Sequence, residues 1–141
     1  TTGSRPKVAA SRPPPVKAVD GWRWPTAGGL TAGFGSTAST QSGIEIGGRF
    51  GQAVSAAADG EVVYAGSGLK SYGQLLIIRH NESFLSAYGH NDKLLVTEGE
   101  RVVAGQQIAR MGNGPGKKAL LHFEIRRNGS PVDPLGYLPG R

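Results

Sequence analysis

The sequence predicts an all-β domain, a compact antiparallel sheet over residues 21–141 preceded by a flexible linker over residues 1–20. Three observations carry that prediction. Glycine supplies 23 of the 141 residues, a density that suits turns and bulges and weakens helix interiors. Apolar residues recur with period two over short runs bounded by Gly, Asn or Asp. No stretch repeats apolar residues at the spacing a packed helix needs. A chain of this length holds one domain comfortably.

The elements follow in order. Residues 1–20 (TTGSRPKVAASRPPPVKAVD) are rich in Pro, Ser and basic side chains. They bury too little apolar surface to offset their ordering entropy and read as a tether. The domain opens at Gly21-Trp22-Arg23-Trp24-Pro25, where the tryptophans suit packing and Pro25 marks a sheet edge. Gly43–Ile46 is short and alternating. Segments 53–57 and 61–65 flank Asp59-Gly60, which predicts a two-residue hairpin. Leu75–Arg79 is a continuous apolar run, as in a strand covered on both faces. Asn81-Glu82-Ser83 turns the chain into Phe84–Gly89, a second hairpin. Lys93–Val96 and Gln107–Met111 are further short strands, separated by Gly99 and Gly105. In Leu120–Arg126, Leu121, Phe123 and Ile125 form one face, and Leu120, His122, Glu124 and Arg126 share the other.

Composition narrows the function. The chain has no cysteine, so disulfides and thiolate metal sites are excluded. Only His80, His90 and His122 offer imidazole. The net charge is +6, but half of it lies in the first twenty residues, where Arg5, Lys7, Arg12 and Lys17 meet only Asp20. No basic stripe interleaves with aromatics, which argues against nucleic acid; anionic cell-wall polymer or an acidic protein surface remain as partners. No apolar run approaches the length of a bilayer-spanning helix, and no hydrophobic signal segment opens the residues given. A mature secreted chain, or a fragment of one, would look the same.

Eight stretches in sequence order carry a resemblance. They include Ser42-Gly43-Ile44-Glu45-Ile46, Ala58-Asp59-Gly60-Glu61-Val62-Val63-Tyr64-Ala65-Gly66, Tyr72-Gly73-Gln74 and Ala87-Tyr88-Gly89-His90. Val103-Ala104-Gly105-Gln106, Leu121-His122-Phe123-Glu124-Ile125-Arg126 and Pro131-Val132-Asp133-Pro134 continue the series. Together they make the chain resemble the LytM/lysostaphin-type metallopeptidases over roughly residues 22–139. That resemblance implies a compact antiparallel fold of the duplicated hybrid motif type, with a groove across one face. Gly21-Trp22-Arg23-Trp24-Pro25, His90-Asn91-Asp92 and Leu135…Tyr137-Leu138-Pro139 bring it nearest to NlpD-like activators of cell-wall amidases. Such activators are envelope proteins, often outer-membrane lipoproteins.

An active member of that family, as the resemblance implies, binds zinc through a His, an Asp four residues later, and the second His of a His-x-His pair. The first His of the pair acts with a further His in activating water. The corresponding positions here are Gln41, Glu45, Leu120 and His122, with His90 at the auxiliary place. Gln41 is a poor zinc ligand, Glu45 sets its carboxylate one methylene away, and Leu120 neither binds metal nor moves a proton. Zinc chemistry needs three protein ligands and an open position, and losing a general acid–base group alone costs about 10²–10⁴-fold. The expectation is therefore a domain with no catalytic residue, no bound metal and no cofactor.

What remains is a partner-binding groove lined by Glu45, Tyr72, Leu75, Leu120, His122 and Arg126, with Ser67–Ser71 as a wall. Tyr and Arg are favoured at interfaces. Other readings stand beside this one: His122 as a satisfied interior histidine, His90 as groove or structural histidine, His80 as structural, and Arg126 as the ion-pair partner of Glu124. The resemblance implies a non-catalytic activator of a periplasmic N-acetylmuramoyl-L-alanine amidase in daughter-cell separation, tethered to the outer membrane through an upstream segment. The alternatives are a zinc endopeptidase cutting peptide cross-links and a passive peptidoglycan-binding module.

Overall fold

The computed structural model describes residues 18, 19 and 21–140, so the expected tether over residues 1–20 lies almost wholly outside the described residues. Ten strands make up the described chain: β1 (Leu30–Ala32), β2 (Ile44–Gly47), β3 (Ala53–Ser55), β4 (Gly60–Gly66), β5 (Gln74–Arg79), β6 (Phe84–Leu94), β7 (Arg101–Val102), β8 (Gln107–Met111), β9 (Leu120–Arg127) and β10 (Ser130–Val132). The strand path is β1-β2-β9-β6-β5-β4-β7, with β10 on β9, and β8 between β6 and β3. Every pairing is antiparallel. The only helical pieces described are single 3-10 turns, among them Lys70–Tyr72 and Pro115–Lys117.

Strand β6 carries the architecture. Its first part, Phe84–Gly89, pairs with β9, and its second, from Asn91, pairs with β8. The handover falls at His90, whose φ of 66° lies in the left-handed region that non-glycine residues seldom occupy. There the His90 carbonyl accepts from Gly112 N–H at 2.9 Å. A Cβ on Gly112 would stand 2.6 Å from that oxygen, so glycine is what lets the end of β8 approach.

The alternation of β9 sets the core. Leu121, Phe123 and Ile125 are fully buried with Ile44 and Ile46 of β2, Leu76 and Ile78 of β5, and Tyr88 of β6. A polar chain threads this core. His80 Nδ1 meets the Asp59 carbonyl at 2.6 Å and Nε2 meets Ser86 Oγ at 2.7 Å. Ser86 Oγ lies 2.6 Å from Tyr88 Oη, which accepts from Ala57 N–H at 2.9 Å. A carbonyl can only accept, so Nδ1 carries the proton. Donation then runs from Tyr88 to Ser86 to Nε2. Burial pushes the Tyr88 phenol up to about 12 and lowers the His80 imidazole, which keeps both neutral in their roles. Trp22 packs edge-on to the His80 ring at 5.0 Å, and Trp24 Nε1 donates to the Pro139 carbonyl at 2.7 Å.

Two local expectations change. The strands flanking Asp59-Gly60 do not pair with each other: β3 pairs with β8, and β4 with β5 and β7. Asp59 is taken up elsewhere, its carbonyl by His80 and its carboxylate by Ala104 N–H at 2.8 Å, so the turn signal is satisfied without a hairpin. The separate strand over Lys93–Val96 is instead the end of β6, which runs through His90 to Leu94.

Candidate functional site

The face of β9 opposite the core presents His122, Glu124 and Arg126 in a row, and strand pairing adds neighbours from both sides. Glu45 of β2 is the register partner of His122, as the two alternation patterns predict. Ala87 and Leu85 of β6 stand opposite Glu124 and Arg126. The turn Lys70–Tyr72 folds over this row and brings the Tyr72 ring 5.4 Å from that of His122. The His90 ring lies 6.2 Å from that of His122, edge to face.

Glu124 organises the site, and the sequence reading gave it no part beyond pairing with Arg126. It is 1% exposed, yet four donors from three segments converge on it. Tyr72 Oη donates at 2.7 Å, Ser42 Oγ at 2.9 Å and His122 Nε2 at 2.8 Å, all to Oε2. Arg126 Nε donates to Oε1 at 2.8 Å. Burial works against the charge, but the bonds from His122, Tyr72, Arg126 and Ser42 outweigh it and hold the carboxyl down to about 2. Its ionised form then requires that His122 carry its proton on Nε2. Burial also raises the Tyr72 phenol, reinforced by Glu124. Burial lowers the His90 imidazole, the adjacent His122 adds to this, and Glu45 opposes it.

Five of the six expected groove residues line two depressions. Tyr72, Leu75 and Arg126 line a cleft of about 350 Å³, whose walls include Leu69, Ile77 and Leu85. Leu69 makes Ser67–Ser71 a wall there, as expected. Glu45 and Leu120 line a second depression of about 290 Å³ with Thr31, Ser39, Pro115 and Lys118. His122, 4% exposed, lines neither. Its Nε2 bonds Glu124 and its ring meets that of Tyr72.

The metal positions can be tested on the side chains themselves. Gln41 is exposed and its Nε2 donates to the Thr37 carbonyl at 3.0 Å. Leu120 packs against Gly114, where a Cβ would meet its side chain at 2.9 Å. His122 has Nε2 committed to Glu124. Among the described residues no three His, Cys, Asp or Glu side chains are placed to hold a metal ion. These donors do not fit the three-ligand zinc centre the family implies.

Residues 39–134 match the family model for peptidase family M23. The chain belongs to that family. It is 54% identical over 141 residues to the lipoprotein NlpD/LppB homolog of Pseudomonas aeruginosa, covering all of this chain and 46% of that protein. It is 52% identical over 123 residues to the murein hydrolase activator NlpD of Escherichia coli, covering 87% of this chain and 32% of the relative. The chain thus spans less than half the length of these curated relatives. Among solved structures it resembles a zinc containing peptidase from Vibrio cholerae, with TM-score 0.73 and 28% identity over 82% of this chain and 39% of that one. Lysostaphin from Staphylococcus simulans aligns with TM-score 0.71 and 25% identity, over 82% of this chain and 52% of its own. The antiparallel M23 fold and the nearness to NlpD-like proteins expected from the motifs are both found.

Proposed function

We propose that this domain activates a periplasmic N-acetylmuramoyl-L-alanine amidase and does not itself cut peptidoglycan. The observation that carries this reading is the chemistry at the ligand positions. Gln41 is turned to the backbone of Thr37, and Leu120 stands where a proton-carrying histidine would be needed. The fold around these positions is intact. Relatives named murein hydrolase activators and outer membrane antigenic lipoprotein B support activation as the role. They also support a periplasmic location, with the parent chain tethered to the outer membrane.

Activation requires differential binding: the domain must hold the amidase's open state more tightly than its self-blocked one. Turning a 1:99 equilibrium into 99:1 takes about 5.5 kcal/mol, which two or three buried Leu-sized side chains at about 2 kcal/mol each supply. The cleft between Leu69, Tyr72, Leu75, Ile77 and Leu85 offers walls of that kind, and Arg126 at its side offers a charged grip. The test is dye release from labelled sacculi by the domain alone, the amidase alone, and both. Release only in the mixture, beyond that of the amidase alone, is expected. Release by the domain alone would revive the zinc endopeptidase reading. Binding to sacculi without any stimulation would favour a passive peptidoglycan module.

A further inference from the structure

The second depression contains a feature the activation reading leaves unused. Glu45 is 9% exposed and lines the depression with Leu120, which is 7% exposed. Lys118, Ser39 and Pro115 around it are exposed, so the acid and the leucine form the floor and the others the rim. Among the described residues the Glu45 carboxylate makes no hydrogen bond and no ion pair. Its neighbour His122 is committed to Glu124. The Glu45 oxygens are not sealed from water, since Asn91 Oδ1 is the one buried side-chain oxygen or nitrogen left without a partner among the described residues, and the depression of about 290 Å³ that Glu45 lines leaves them open to a ligand.

We infer that this depression receives a lysine side chain of the protein partner, with the ammonium on Glu45 and the methylene stem along Leu120. The inference rests on the activation reading for the source of that lysine. Three features select the ligand class. The single unpaired carboxylate calls for one positive charge. Leu120 offers apolar surface where a bare metal ion or a hydrated cation would gain nothing, whereas a lysine stem lies readily on such surface with its head group on a polar atom. The ammonium has three donors, and Thr31 and Ser39 line the same depression, where Thr31 Oγ1, which donates to the Glu45 carbonyl, keeps its own lone pairs to accept. Arginine fits less well, because its planar fork is best matched by two parallel acceptors. Lys118 at the rim opposes a second positive charge, so the partner's lysine stands alone or next to an acidic residue.

The test is an NMR titration of the ¹⁵N-labelled domain at neutral pH with acetyl-lysine-methylamide. Parallel arms use the norleucine and the ε-acetyl-lysine analogues, and free diaminopimelic acid. Amide shifts confined to Ser39, Glu45, Ala119 and Leu120 are expected with the lysine probe only. Glu45→Gln should weaken them at least about tenfold, the usual worth of a charge-assisted hydrogen bond. The two analogue arms on the unaltered domain guard against a variant that misfolds. Equal shifts from norleucine, or none from lysine at tens of millimolar, would overturn the assignment. Tighter binding of diaminopimelic acid than of the lysine probe would overturn the protein source in favour of peptidoglycan. None of these arms contains the amidase. A silent pocket with intact stimulation of dye release refutes this inference alone, and a responsive pocket without stimulation refutes only the activation reading.

Discussion

Replacing Glu124 by Gln tests whether one buried charge holds the site together. The carboxyl falls from 4.5 in the unfolded chain to about 2 in the fold, which corresponds to about 3 kcal/mol of stabilisation at neutral pH. The mutational route gives a similar size, since breaking a buried ion pair costs about 3–5 kcal/mol. The lower end applies here because the Arg126 side chain is 33% exposed. Glutamine cannot serve both oxygen positions. With its carbonyl toward Tyr72, Ser42 and His122, its amide meets Arg126 Nε donor to donor; reversed, both hydroxyls must turn to accept and His122 must move its proton to Nδ1. Urea unfolding should show a loss of about 3 kcal/mol, and heating a fall in Tm on the order of 10 °C. The acid limb is the sharper readout. The folded carboxyl is the more acidic, so its contribution is complete above about 4.5 and is lost as pH falls toward about 2. The unaltered domain should therefore weaken steeply across that window and the variant much less. An unchanged Tm together with an unchanged acid limb would refute the account of Glu124.

Tyr72→Ala and Arg126→Ala should each abolish stimulation of the amidase in the dye-release assay while circular dichroism stays that of a folded β domain; retained stimulation in both would displace the contact from the larger cleft. His80 should impose a milder pH dependence. Its folded pKa lies below 6.5, so the unfolded chain takes the proton first and stability declines as pH drops below about 6.5. His80→Gln should flatten that decline in denaturant titrations. Gly112→Ala, with its Cβ 2.6 Å from the His90 carbonyl, should cost ~2 kcal/mol or more, read by thermal unfolding. Gln41→His, Glu45→Asp and Leu120→His combined should give stoichiometric zinc by metal analysis, because the M23 frame around these positions is present. A metal-free triple variant would mean that the backbone has drifted as well.

Which parts of this were legible depends on the range of the forces involved. Strand β9 was readable because period-two alternation is local: Leu121, Phe123 and Ile125 must face one way and His122, Glu124 and Arg126 the other, whatever the rest of the chain does. The same logic paired Glu45 with His122. The Asp59-Gly60 hairpin failed because a turn dipeptide reports only that the chain bends. Whether its flanks pair depends on competitors, and β8, β5 and β7 took those edges. Glu124 was half visible. A carboxylate between a histidine and an arginine on one strand face was a signal, but nothing local announces that Ser42 and Tyr72, 82 and 52 residues away, also reach it.

The Glu124 network holds more than the orientation of one histidine. A metal-binding histidine is normally held by a carboxylate on its other ring nitrogen, which fixes its tautomer and orientation. Glu124 does this to His122 at 2.8 Å, although Gln41 and Leu120 leave no complete ligand set for the histidine to join. Here the same carboxylate anchors the turn carrying Tyr72 and the loop carrying Ser42, and it neutralises Arg126. Removing it would open the wall of the larger cleft. Glu124 is therefore tied to the shape of the larger cleft as well as to the orientation of His122.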